Sequence, residues 1–322
     1  MELSEILRLN ILSPMVLAFV LGIIAVIVKS DLKIPEQVYS IISIYLLFAI
    51  GLKGGFDLAR SPVGSFGSAA GVAVLLGLAI PLLSFFLLRL LGRMTAANAI
   101  SVAIHYGAVS AVTLSASITF LNEAGQTFEG FMPTMYVIME IPAVILGLAL
   151  AQWYSGGKKQ TLGAALRSAL TGKGFLLLGG GVLIGFISGE PGYQQVKPFF
   201  VDLFPGFLAL FLLEMGTLVG ARLTDLRKMG WGLIVFALTM PLVHGFLGVW
   251  LGTVAGLSAG GAMIMGALAA SASYITAPAV VEANIPEADI TFSLTASLVL
   301  TFPLNLTIGL PIYYELARMF AG

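Results

Sequence analysis

Long apolar runs alternate along this chain with short breaks of charge, glycine and proline. They fall at roughly 11–29, 37–58, 67–91, 97–121, 130–154, 172–189, 198–221, 229–255, 260–283 and 288–317. Each is near the ~20 residues that a helix needs to cross a bilayer core. The pattern predicts an all-α polytopic membrane protein with ten transmembrane helices.

The basic residues in the breaks test this division, because cytoplasmic loops carry the excess of Lys and Arg. Alternate breaks sort into one side with four (Arg8, Arg60, Lys197 and Arg318) and another with eleven. The eleven are Lys29, Lys33, Arg89, Arg93, Lys158, Lys159, Arg167, Lys173, Arg222, Arg227 and Lys228. A miscounted helix would scramble that asymmetry. The expectation is a multi-pass protein of the cell (inner) membrane with both termini non-cytoplasmic, leaving Lys53 inside the second span. The start, Met1-Glu2-Leu3-Ser4-Glu5, is acidic where a signal peptide is basic, so the first run reads as a retained helix.

The two halves also resemble each other. Ile80-Pro81 recurs as Met240-Pro241 at an offset of 160, while Ala108, Ser110, Ala111, Ala116 and Pro142 recur at 161 as Ala269, Ser271, Ala272, Ala277 and Pro303. Gly51, Gly55 and Leu58 match Gly216, Gly220 and Leu223 at 165. Small residues coincide easily in such a chain, but two proline pairs at nearly one offset do not. The division is a first five-helix repeat over 1–156, a cytoplasmic linker over 157–171 and a second repeat over 172–322. An odd number of helices per repeat makes the second copy inverted, the plan on which many secondary transporters build a midplane site.

Composition narrows the function. The chain is 58% hydrophobic and 10% charged, with a mean hydropathy of +1.01, which excludes a soluble domain. It has no cysteine and only two histidines, so no disulfide, Cys/His zinc site or thiol nucleophile is expected. Sixteen basic and sixteen acidic residues cancel, which argues against nucleic acid as a partner. No Walker lysine motif, zinc-protease helix or nucleophile elbow occurs, so neither an enzyme nor a bound cofactor is expected.

The fourth and ninth spans are poor membrane helices in their middles, reading His105-Tyr106-Gly107-Ala108-Val109-Ser110-Ala111-Val112-Thr113 and Ala270-Ser271-Ala272-Ser273-Tyr274-Ile275-Thr276-Ala277-Pro278. Irregular backbone at membrane depth survives where protein or water lines it, and interrupted helices aim half-helix N-termini at an anion. Close packing through small residues is the alternative reading. Glu140 lies mid-span in Met139-Glu140-Ile141-Pro142, where a carboxylate costs about 2.5–3.5 kcal/mol. Its counterpart in the tenth span is Thr301-Phe302-Pro303-Leu304-Asn305, and these hard oxygens together suit a small alkali cation. Alternatively, Glu140 is protonated and hydrogen-bonded between helices. Lys53 and Asp57 are four apart and suit an ion pair; they and Glu214 read as interfacial groups rather than ligands. Spacings such as Gly51/Gly55, Gly181/Gly185 and Gly216/Gly220 suit oligomer contacts, although 38 glycines generate many by chance.

At these segments the sequence resembles the sodium-dependent bicarbonate transporter family best known from cyanobacteria. The stretches that carry the resemblance are Ile34-Pro35-Glu36, Ile50-Gly51-Leu52-Lys53-Gly54-Gly55, Tyr106-Gly107-Ala108-Val109-Ser110, Met139-Glu140-Ile141-Pro142-Ala143, Ser271-Ala272-Ser273-Tyr274-Ile275 and Leu300-Thr301-Phe302-Pro303-Leu304-Asn305. The resemblance implies a gate domain of spans one, two, six and seven and a moving core of the remainder. Bicarbonate would lie between the broken fourth and ninth spans with sodium beside it. It also implies a homotrimer and, for cyanobacterial members, a PII-like regulatory protein on the cytoplasmic face. Two features depart from the pattern: Glu140 stands where the family motif has aspartate, and the linker is short. On this basis sodium is expected near Thr113, Glu140, Ser273, Thr301 and Asn305. Bicarbonate is expected at Gly107, Ala108, Val109 and Ser110 facing Ser271, Ala272, Ser273 and Tyr274. The expected activity is sodium-coupled bicarbonate symport into the cytoplasm by an elevator-like cycle. A carrier of another small anion, a sodium/proton exchanger, a channel and a non-transporting sensor are the alternatives.

Overall fold

The computed structural model describes residues 3–60, 64–154, 167, 171–274 and 276–321 of the 322-residue chain. Every regular element among the described residues is helical, and seven helices are long and apolar enough to cross a membrane, or eight if a bent pair at the start is one span. That pair is α1 (Leu3–Ile11) and α2 (Pro14–Ile27), bent by 56°. Pro14 lacks the N–H that would continue α1, and Ser13 caps α2 by accepting from the Val16 amide at 3.3 Å. The first predicted span therefore begins at Pro14, and α1 was not anticipated.

Next come α3 (Glu36–Arg60), α4 (Phe66–Leu90), the paired short helices α5 (Ala96–Gly107) and α6 (Ala111–Glu123), and α7 (Met132–Tyr154). The predicted linker lies almost wholly outside the described residues. Beyond it, Lys173–Lys228 is helical almost throughout its 56 residues. At 1.5 Å per residue a straight helix of that length would run about 80 Å, more than twice the hydrocarbon core. Instead it divides into α8 (Lys173–Lys197), a π-helical turn at Pro198–Asp202, and α9 (Phe204–Arg222). Within α8 the kink is at Gly189, whose φ of 54° and ψ of −152° lie where only glycine is comfortable. The chain continues through α10 (Trp231–Val254), α11 (Ala259–Ala270), α12 (Thr276–Asn284) and α13 (Ile290–Phe320).

Two crossings organise one group of helices: α3 against α8, and α2 against α9. A second group packs α4 on α5 and α7, and α10 on α11 and α13. The glycine spacings locate the first two crossings within a single chain. A Cβ added at Gly51 would stand 3.0 Å from the Gly181 Cα and one at Gly55 2.9 Å from the Gly185 Cα, with α8 backbone carbonyls closer still. Across α2 and α9, the same hypothetical atom at Gly22 meets the Gly216 Cα at 2.9 Å, and at Gly220 it meets the Val26 Cβ at 2.9 Å. These glycines serve intrachain helix contact, correcting the expectation that they mark subunit contacts.

Because backbone meets backbone at these points, no rotamer change can relieve a side chain there. Gly51→Leu or Gly216→Leu is expected to destabilise the chain by more than ~3 kcal/mol, read as lost monodisperse protein and a lower melting temperature in detergent. Gly71, with nothing within 4 Å of an added Cβ, should tolerate Ala with no loss.

Candidate functional site

The two interrupted helices meet at their breaks. Residues 108–110 between α5 and α6, and 271–274 after α11, are extended rather than helical, as Ala108 (φ −77°, ψ 135°) and Ser271 (φ −77°, ψ 161°) illustrate. Small residues let the two strands of chain approach closely enough to exchange hydrogen bonds. The Ser273 amide donates to the His105 carbonyl at 2.7 Å and the Ala108 carbonyl at 3.0 Å. The Ser110 amide donates to Ser271 Oγ at 2.9 Å, and that hydroxyl in turn donates to the Leu268 carbonyl at 2.8 Å. The His105 carbonyl in the last turn of α5 and that of its C-cap Ala108 are thus met by the other half of the chain. At the start of α6, Ser110 Oγ accepts from the Thr113 amide at 3.3 Å. The Ala111 and Val112 amides have no acceptor within the helix.

Proline chemistry explains the polar residues around this crossing. Pro241 has no N–H for the Ala237 carbonyl four residues earlier, and the Thr301 hydroxyl supplies the missing donor at 2.9 Å. With its proton spent there, Thr301 Oγ1 accepts from the Tyr106 hydroxyl at 2.6 Å. Pro311 likewise leaves the Thr307 carbonyl open, and Asn10 Nδ2 donates to it at 2.9 Å and to the Leu306 carbonyl at 2.8 Å. Around Pro303, α13 shifts into π-helical register over Thr295–Thr301 and Asn305–Gly309. Such bulges recur at functional sites. Thr301 closes the first of these turns and Asn305 opens the second. Asn305 Nδ2 donates to the Ala270 carbonyl at the end of α11 at 2.8 Å, while its Oδ1 accepts from the Tyr313 hydroxyl at 2.8 Å.

All the polar side chains expected at the site are withdrawn from the surface: Ser110, Thr113, Glu140, Ser271, Ser273, Thr301 and Asn305 are each at most 7% exposed. Gly107, Ala108, Val109, Ala272 and Tyr274 are buried with them. Among the described residues the Tyr274 hydroxyl has Ser110 as its polar neighbour but no well-formed hydrogen bond, and its ring meets Phe302 edge-on at 5.6 Å. The expected cation ligands divide by location. Glu140 lies on α7, hydrogen-bonded to Tyr136 one turn earlier. Thr301 and Asn305 lie on α13, which does not pack extensively on α7; α5 and α11 stand between them. Thr113 lies on α6, which touches both α7 and the turn Asn305–Gly309. Among the described residues, no three His, Cys, Asp or Glu side chains gather as a metal cluster.

A family model described as the Na+-dependent bicarbonate transporter superfamily matches residues 14–318. The chain belongs to this superfamily. The match begins at the first residue of α2 and runs to Arg318 near the end of α13, so it takes in both breaks and every expected site residue. A comparison with curated proteins finds no match. Superfamily membership and the apolar helices make this a multi-pass membrane transporter, with sodium and bicarbonate as the ions the family implies.

Several site features escaped the sequence. Tyr106, noted only within the interrupted middle of the fourth span, and Tyr313, not singled out, were given no role, yet their hydroxyls fix Thr301 and Asn305. Asn10, on a helix that was not anticipated, supports the second π turn. Counting four residues back from Pro241 and Pro311 would have identified both open carbonyls. Of the two histidines, His105 Nδ1 lies 2.8 Å from the Ser101 carbonyl, and His244 is wholly buried without a hydrogen-bond partner on either ring nitrogen.

Proposed function

We propose that this member of the superfamily is a secondary active transporter that carries bicarbonate into the cytoplasm together with sodium, by an elevator-like movement of a core domain against a gate domain. The observation that carries this reading is the Ser110–Ser271 hydrogen bond. It joins residues at the repeat offset of 161 and places equivalent serines from the two halves together at the crossing of two interrupted helices.

A ten-span inverted repeat is supported by contacts that recur with their partners exchanged. Gly51 approaches Gly181, with the Leu178 carbonyl beside it, as Gly216 approaches Gly22 with the Phe19 carbonyl beside it. The helix pairs α4·α5, α4·α7 and α5·α7 have counterparts in α10·α11, α10·α13 and α11·α13. Under this reading α2, α3, α8 and α9 form the gate and the remaining spans the core, in an inner membrane with both termini outside the cytoplasm. The assembly is a homotrimer, and the short linker offers little for a PII-like regulator.

Within the core, the anion faces the α6 N-terminus and the opposing start of α12. The Ser110 and Ser273 amides already serve the crossing. The Ala111 and Val112 amides and the Tyr274 hydroxyl are therefore the donors that suit a planar oxyanion. A half-helix dipole with neutral donors binds an anion more weakly than an arginine would, which favours release after capture. Sodium is held by Glu140 together with hydroxyl and carbonyl oxygens from the breaks, Thr113 and Ser273 among them, while Asn305 secures the break through the Ala270 carbonyl. One sodium with one bicarbonate moves no net charge, so the sodium concentration gradient drives the cycle.

Purified protein in proteoliposomes should accumulate labelled bicarbonate when sodium is higher on the uptake side, with no dependence on an imposed potential. Flux indifferent to the sodium gradient rejects the coupling. Vesicle acidification by sodium without bicarbonate would favour a sodium/proton exchanger instead.

A further inference from the structure

Outside the crossing, a cavity of about 280 Å³ lies between α3 and α6, with α7 and the Phe200–Pro205 region closing its sides. Its polar lining comprises Lys53, Asp57, Thr119, Asn122 and Glu123. A second, narrow space of about 20 Å³, room for about one water, lies between the same two helices. Ile50 lines both. The inner space touches Ala111, Val112 and Ser115, and Ala111 is the first residue of α6, next to the break. On α6, Ala111, Ser115, Thr119 and Asn122 follow at helical spacing along one face, so one stripe runs from the wide chamber to the break. On α3, Asp57, Lys53 and Ile50 form the opposing stripe.

We propose that the wide cavity is the chamber through which the two ions reach the site, with Ile50 as its apolar floor and Lys53 as the group that meets the oxyanion. This rests on the transport reading above and adds the route and a specificity residue to it. Lys53 Nζ stands 2.6 Å from Asp57 Oδ2 and 5.7 Å from the Phe128 ring centre, with its side chain 31% exposed. That is deep enough to be shielded and open enough to exchange partners. The chamber presents an ammonium beside Asp57, with the Glu123 carboxylate at its rim, and so offers a counter-charge to each member of a sodium–oxyanion pair. A chamber of one sign would repel one of the two. Its lining residues Asp57 and Glu123 lie toward the C-terminal ends of α3 and α6, and the last residue of α3, Arg60, pairs with Glu190 beside the α8 kink, on the face expected to carry few basic residues. In the proposed topology that is the side from which bicarbonate is taken up. Between chamber and break, the Ile50 constriction keeps a hydrated ion out until the core moves against the gate.

The native chain has no cysteine, so single cysteines report access directly. In proteoliposomes of known orientation, Thr119→Cys should react with a membrane-impermeant thiol reagent from the sparsely basic face alone, and the modified carrier should lose uptake by at least ~10-fold. Sodium with bicarbonate should slow modification of Ile50→Cys. Lys53→Gln should raise the KM for bicarbonate ~10-fold with kcat within about twofold, and Lys53→Arg should restore it. If loss of the ion pair destabilises Lys53→Gln, the Lys53→Gln/Asp57→Asn pair should show the same KM shift. The proposal is overturned if Thr119→Cys is unreactive, reacts from both faces, or is labelled without loss of uptake, or if neither Lys53→Gln nor the Lys53→Gln/Asp57→Asn pair moves KM. One-sided labelling needs no cargo. A chain that carries a different anion would therefore keep the labelling pattern and lose only the protection by bicarbonate, separating failure of the route from failure of the substrate reading.

Discussion

Glu140→Gln is expected to lower sodium-driven bicarbonate uptake by about 30-fold or more. The side chain is 7% exposed on a membrane-embedded helix, and Gln preserves its size and its ability to accept from Tyr136. The substitution therefore removes charge with little change of shape. Deleting a charge-assisted interaction from a buried site costs ~2–3 kcal/mol, which corresponds to roughly 30–150-fold in ion affinity. Glu140→Asp keeps the carboxylate and should retain sodium stimulation, with a shifted sodium half-saturation because the shorter stem retracts the oxygens. Initial uptake rates across a sodium series check both variants. An unchanged sodium half-saturation in Glu140→Gln would remove Glu140 from the cation site.

Substitutions at Ser273 separate its backbone from its side chain. Ser273→Pro deletes the amide that donates to the His105 and Ala108 carbonyls, opening the crossing where no water is at hand to compensate. At about 1–3 kcal/mol for each of the two buried carbonyls left unsatisfied, the cost is ~2–6 kcal/mol, with uptake abolished and the detergent melting temperature lowered. Ser273→Ala leaves the amide in place and should fold as the native chain does. Any loss of uptake in Ser273→Ala then measures the hydroxyl alone. Equal melting temperatures for the Pro and Ala variants would show that the crossing contributes nothing to stability.

The helical runs and both interruptions were legible because hydropathy and small hydroxyl residues are local signals. Partnerships were not. Tyr106 and Thr301 are 195 residues apart, and no local pattern links them. Glu140, Thr301 and Asn305 were expected to meet, since each breaks an apolar run; the fold instead sets α5 and α11 between the first and the other two. Gly51 and Gly181 were visible as spacings, but 38 glycines hide which pairs touch. The bend before α2 follows from Ser13-Pro14, a pair that hydropathy averaging passes over.

The exchange of amides and carbonyls between the two breaks also bears on how the chain assembles. When residues 96–123 are first synthesised, the acceptor for the Ser110 amide and the donor to the His105 carbonyl lie more than 160 residues downstream. Until then α5 and α6 carry exposed polar backbone that lipid cannot solvate. The N-terminal half is left waiting at the membrane as an unfinished surface, met first by 271–273 and then by Thr301 at Tyr106, so its completion waits on the last helices to be made.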